Sequence, residues 1–101
     1  MTTRQLRRYQ LDADVLEDWL DWFREIMVPA RLDFGYTVET AYVARASSEF
    51  VWVVSAPVDA EDFGRLEDGW KTSSMRAAAM ASMPGRVLAA QIDLVERVSP
   101  I

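Results

Sequence analysis

The chain has 101 residues, half of them hydrophobic, with four Trp, three Tyr and four Phe, and a formal net charge of −5. That length holds one domain, spanning 1–101, and the acidic balance argues against nucleic acid or an anionic membrane as partner. There is no Cys, no His and no Asn, which excludes disulfides, thiolate metal sites, cysteine nucleophiles, a Ser-His-Asp triad, and imidazole as base, metal ligand or haem ligand.

Gln5 to Leu11 reads as a first strand, followed by a polar break at Asp12-Ala13-Asp14. Asp14 is the predicted N-cap of a helix, with Glu17 three residues on. Leu16, Trp19, Leu20, Phe23, Ile26, Met27 and Ala30 recur at spacings of three and four, an apolar stripe opposite an acidic face of Asp14, Glu17, Asp18, Asp21 and Glu25. That acidic face reads as solvated rather than metal-binding, because a hard-cation site needs converging oxygens on a bend or loop. Pro29 should loosen the last turns, and Gly35 is the predicted stop. Tyr36 to Arg45 alternates as a second strand. Ala46-Ser47-Ser48 turns the chain into a third, Glu49 to Ala56, making an antiparallel hairpin.

Asp59 caps a second helical region carrying Phe63, Leu66 and Trp70, weakened by Gly64 and Gly69 and resumed over 74–81. Pro84-Gly85 ends it, and Ala89 to Val98 gives a final strand. The order β-α-β-β-α-β predicts a ferredoxin-like α+β fold, two helices on one face of a four-stranded antiparallel sheet. The other sheet face still needs covering, so a homodimer closed into a barrel is expected. No stretch approaches the ~20 apolar residues of a membrane span. Met1-Thr2-Thr3-Arg4 carries no signal-peptide core, so a cytoplasmic location is expected.

Leu6-Arg7-Arg8-Tyr9-Gln10-Leu11 resembles the opening strand of NIPSNAP-family domains. Trp22 to Pro29, Phe34-Gly35-Tyr36, Glu49-Phe50-Val51-Trp52-Val53, and Leu66-Glu67-Asp68-Gly69-Trp70 resemble later parts of that family in the same order. The resemblance implies a dimeric α+β barrel, a superfamily that also holds cofactor-independent monooxygenases, small cyclases and haem-degrading proteins. It implies no single reaction. The missing His departs from the haem-degrading relatives, and the missing Asn from some quinone-forming monooxygenases.

Strand alternation groups Phe50 with Trp52 and Val54, Tyr42 with Val38, Thr40 and Ala44, and Arg7 with Tyr9 and Leu11. Arg7, Tyr9, Tyr42 and Trp52 are predicted to point away from the helices, into a pocket between the sheet and a partner copy. The plainer alternative is that these large residues fill the barrel or interface. Tyr9 and Arg7 are the candidate catalytic pair, able to hydrogen-bond a carbonyl or enolate oxygen. Trp52, Tyr42, Phe50, Trp22 and Arg86 are the candidate substrate-binding residues. Met75, Met80 and Met83 form an apolar cluster able to cover a ligand, or to plug a core gap. Glu39, Glu49, Asp93 and Glu96 are strand acids, read as solvated or paired with Arg45 or Arg97.

The reading is a homodimeric barrel, without metal or cofactor, binding an apolar or aromatic, polyketide-like compound. The chemistry expected is cyclisation, isomerisation or oxygenation in bacterial secondary metabolism; many Arg and Ala beside a single Lys fit a GC-rich genome. The alternative is a non-catalytic association or partner-binding module with a filled barrel. The volume of the cavity inside the dimer separates the two: roughly 300 Å³ or more with convergent polar groups favours binding or catalysis, and a filled barrel favours association.

Overall fold

The fold grows from four alternating strands and two interrupted helices, described here for residues 1–100 from a computed structural model. Strand β1 spans Thr3–Leu11, and a short 3₁₀ turn at Ala13–Val15 leads into helix α1, Leu16–Trp22. The Asp12 carboxylate, not that of Asp14, caps this start by accepting the Asp14 amide at 3.0 Å. A widened π turn, Phe23–Met27, joins α1 to α2, Val28–Phe34. Pro29 has no N–H for the Glu25 carbonyl, and its ring would crowd that oxygen in a regular helix. Widening the preceding turn relieves the conflict and lets the helix run on to Gly35.

Strands β2, Thr37–Ala44, and β3, Glu49–Ala56, form the hairpin. Helices α3, Ala60–Lys71, and α4, Ser74–Met80, follow, capped by the Asp59 and Ser73 side chains. Strand β4, Val87–Val95, closes the chain, beginning two residues before the sequence-based expectation. The sheet order is β2-β3-β1-β4, all antiparallel, the ferredoxin-like arrangement.

Helices pack on one sheet face. Trp19 stacks on Phe23 at 5.5 Å between centroids, and both set edges against Phe50. Phe23 also meets Trp52 at 5.0 Å. Such pairs add about 0.5–1.5 kcal/mol each beyond their buried area. Phe50, Trp52 and Val54 therefore face the helices, opposite to the direction expected from sequence. The registers Arg7↔Trp52 and Tyr9↔Phe50 place Arg7 and Tyr9 on that same inner face.

A bulge at Glu39, between the pairs Val38↔Val54 and Thr40↔Val53, inserts one extra residue into β2. Past it the alternation inverts. Tyr42 pairs with Val51 on the outer face and is 70% exposed. The outer face also carries half-buried Leu6, Val51 and Val53, and among the described residues no helix lies on it.

Gly35 adopts φ +119° at the end of α2, a region that costs an L-residue about 1–2 kcal/mol. Gly35→Ala is expected to lose that much in chemical denaturation, although a Cβ there meets nothing closer than 4.0 Å. Gly64→Ala, in the exposed middle of α3 with open space around it, should instead gain about 0.5–1 kcal/mol.

Candidate functional site

A cavity of about 230 Å³ lies between the inner sheet face and the helices. Its walls include Trp19, Trp22, Trp52 and Trp70, all four tryptophans of the chain, together with Phe23 and Met27 of the π turn. Such widened turns recur at functional sites because they re-aim side chains. The Trp22 indole donates to the Ala79 carbonyl at 2.9 Å, tying α1 to α4 across the cavity roof. Met80, Met83 and Val87 complete the apolar lining. The volume falls short of the roughly 300 Å³ set as the mark of a ligand pocket, and the cavity lies within one copy of the chain rather than inside a dimer. Two other surface grooves, around Glu49 and around Glu39, are lined mainly by strand residues with no tryptophan.

The polar wall is held from behind by Glu67, which does not itself line the cavity. Its carboxylate accepts from Arg7 at 2.9 Å, from Arg31 at 2.9 Å and from the Tyr36 hydroxyl at 2.6 Å. Burial pushes the Glu67 carboxyl up, but the Tyr36 hydrogen bond and the Arg31 and Arg7 charges outweigh it, so it sits below its usual value. Burial, then the bond to Glu67, pushes the Tyr36 phenol far above its ordinary value, keeping it a donor. Burial and the Arg7 charge draw Arg31 down while Glu67 pulls it back; a guanidinium stays charged throughout.

Arg7 also donates to the Gln5 side-chain amide oxygen Oε1 at 2.8 Å and to the Tyr9 hydroxyl oxygen at 3.0 Å. Arg31, 3% exposed, sits among three rings, with its guanidinium carbon 4.6 Å from the Trp70 centroid, 4.7 Å from Tyr36 and 5.3 Å from Trp52. Three buried donors find no protein acceptor: Arg31 Nε, Trp19 Nε1 and Trp52 Nε1. All three residues line the cavity. Lys71 and Arg76 stand at its more exposed end.

The structure brings together Arg7, Tyr9, Trp52 and Trp22 in this cavity, on the helix side of the sheet rather than between the sheet and a partner. Phe50 lies beneath it in the core, against Trp19 and Phe23. Tyr42 is on the opposite face because of the Glu39 bulge, and Arg86 is exposed in the turn before β4, outside the lining. Met80 and Met83 line the cavity, whereas Met75 does not. Of the strand acids, Glu39 bonds Arg4 at 3.0 Å and lies 3.6 Å from Arg97. The Ser55 hydroxyl, then Arg4, holds its carboxyl below the usual value against partial burial. Asp93 and Glu96 are exposed. Among the described residues no three acidic groups converge to hold a metal ion, and no helix is long and apolar enough to cross a membrane.

Arg31, Glu67 and Tyr36 were not singled out from sequence. The signal available was positional: Glu67 shares the i, i+4, i+7 stripe of Phe63 and Trp70 on α3, where a carboxylate needs a buried cation.

This architecture has solved counterparts. A NIPSNAP family protein from Agrobacterium tumefaciens strain C58 superposes with a TM-score of 0.82 at 9% identity, over 98% of this chain and 95% of its own. An uncharacterized NIPSNAP domain protein from Burkholderia xenovorans gives 0.79 at 9% identity, over 98% and 96%. The fold is NIPSNAP-like. A structure described as an antibiotic biosynthesis monooxygenase shares it more distantly, with a TM-score of 0.67 at 12% identity over 97% and 99%. No protein-family model matches the sequence, and none of the curated proteins does.

In this NIPSNAP-like chain, removing the Glu67 charge leaves two guanidiniums facing each other, so Glu67→Gln should cost about 3 kcal/mol in urea denaturation at neutral pH. Folding lowers the Glu67 pKa, so its contribution is full above the unfolded value of ~4.3 and is lost as pH falls through the folded value. The stability gap between the native protein and Glu67→Gln should therefore narrow as pH drops from about 6 to about 3. A gap constant over that range would show that the carboxylate charge is not what holds the network.

Proposed function

We propose that this protein binds a small aromatic or largely apolar, polyketide-like compound in the helix–sheet cavity. There it promotes cofactor-independent chemistry of the cyclisation, isomerisation or oxygenation type, in the cytoplasm and in bacterial secondary metabolism. The observation that carries the reading is the Arg7–Tyr9 pair inside an aromatic cavity. The Tyr9 oxygen accepts from Arg7, which leaves the phenolic proton to be donated to an oxygen of the ligand. A polarised donor of this kind stabilises negative charge developing on a carbonyl or enolate oxygen, by about 10²–10³ in rate for oxyanion donors.

Among the described residues no carboxylate lines the cavity, and Glu67 already accepts three hydrogen bonds. The chain's own contribution is therefore charge stabilisation rather than proton abstraction, which suits a substrate acidic enough to ionise by itself. The structural neighbour described as a monooxygenase supports keeping oxygenation among the candidate reactions.

The uncovered outer face, with half-buried Leu6, Val51 and Val53 around exposed Tyr42, favours pairing with a second copy of the chain. It is also the surface that the alternative reading, an association module, would use. Pairing there does not compete with the cavity, which lies on the other side of the sheet.

Native mass spectrometry of the protein from its producing cells tests both parts. A species of twice the 11.5 kDa chain, with extra mass released on denaturation, is the expected result. A bare monomer would remove the pairing, and a bare dimer would favour association. With the released compound as substrate, Tyr9→Phe should keep its binding and lose about 10²–10³ in turnover; unchanged turnover would take Tyr9 out of the mechanism.

A further inference from the structure

Four of the chain's eleven basic side chains, Arg7, Arg31, Lys71 and Arg76, line this single cavity, and no acidic side chain does. Behind the wall, Glu67 balances one guanidinium of the Arg7–Arg31 pair and leaves the other uncompensated. Lys71 and Arg76 have no carboxylate partner among the described residues. An unbalanced charge drawn partly out of water is costly. The rings around Arg31 offset part of that cost, but an aromatic face accepts no strong hydrogen bond. The wall thus lacks one negative charge, in a space shaped by flat rings.

Resting on the small-molecule reading above, we infer that the ligand is a planar aromatic monoanion. Its charged oxygen group lies against Arg31 and Arg7, and its ring lies among the tryptophans. One excess positive charge at the deep end matches a single carboxylate or phenolate. A phosphate ester would bring a second charge that only the mouth residues could meet. A neutral aromatic compound would fill the space and leave the excess guanidinium charge unmatched, which makes its binding weaker.

Isothermal titration calorimetry on the full chain tests this with matched pairs: benzoate against benzamide, 1-naphthoate against 1-naphthamide, and ionised 4-nitrophenol against 4-nitroanisole. The anions should bind at least about ten-fold more tightly than their neutral partners, the size of one charge-assisted hydrogen bond. The first two pairs against the third separate carboxylate from phenolate recognition. Arg7→Gln, which lets Glu67 balance Arg31 alone, should erase the preference. Quenching of the cavity tryptophans by 1-naphthoate places the probe without any variant, should Arg7→Gln fail to fold. Neutral partners binding as tightly as the anions would overturn the charge inference and leave the aromatic-binding reading standing. Anion preference unchanged in a folded Arg7→Gln would put the charge elsewhere and overturn it too. No binding by any of the six compounds would count against both.

Discussion

The Glu67 carboxylate is the point at which four parts of the chain meet. Sitting on α3, it fixes Arg7 of β1, Arg31 of α2 and Tyr36 at the entrance to β2. In water such contacts would be worth little, because hydration competes for every group. Here Glu67 and Arg31 are almost fully buried, so each partner's desolvation is offset only while the others stay in place. Phe63 and Trp70 flank Glu67 on the same helical stripe and seal it from solvent. The helix that closes the core is therefore also the helix that sets the charge of the cavity wall.

That arrangement depends on a single inserted residue. Buried positions along the first helical unit step by four through Trp19, Phe23, Met27 and Arg31, a period that a regular α-helix does not keep. The π turn supplies the extra residue and rotates everything after it by about 100°. A strict 3.6-residue reading keeps Ile26 and Ala30 in the buried stripe. In the structure Ile26 is 40% exposed and Arg31 takes the inward place. The bulge in β2 does the same to the sheet: one residue at Glu39 sends Tyr42 to the face opposite Trp52. Both insertions read in sequence as ordinary continuations of their elements, and periodicity carries no mark of a shift in phase.

The element order and the hairpin were legible, because caps, alternation and turn residues are local. Asp59 and Gly35 cap where their chemistry demands, and β3 runs over the predicted eight residues. The aromatic and basic residues of β1 and β3 were legible as a group, since alternation alone puts Arg7 beside Tyr9 and Trp52 beside Phe50 on one face. Which of the two faces the helices cover was not. Both faces of this sheet carry large apolar residues, and only the packing of Trp19 and Phe23 against Phe50 and Trp52 decides between them. Arg31 and Glu67 were invisible for a different reason. A lone Arg or Glu on a helix reads as surface, and their pairing spans 36 residues of sequence.

The charge distribution of the molecule works against the ligand class inferred for the cavity until the ligand arrives. A chain of net charge −5 repels an approaching anion at long range. At physiological ionic strength that repulsion fades beyond about 8 Å, whereas the cavity's own cations act at contact through a medium of lower dielectric constant. Lys71 and Arg76, at the more exposed end, lie where the two fields cross over. For the ligand inferred above they would offset the repulsion at the mouth, and Arg31 and Arg7 would supply the specific contacts within. Anions without a flat apolar body gain nothing from the tryptophan walls, and aromatic compounds without charge gain nothing from the guanidiniums. Selectivity in such a site comes from requiring both, and it is Glu67, the one buried acidic side chain among the described residues, that leaves only a single positive charge to be matched.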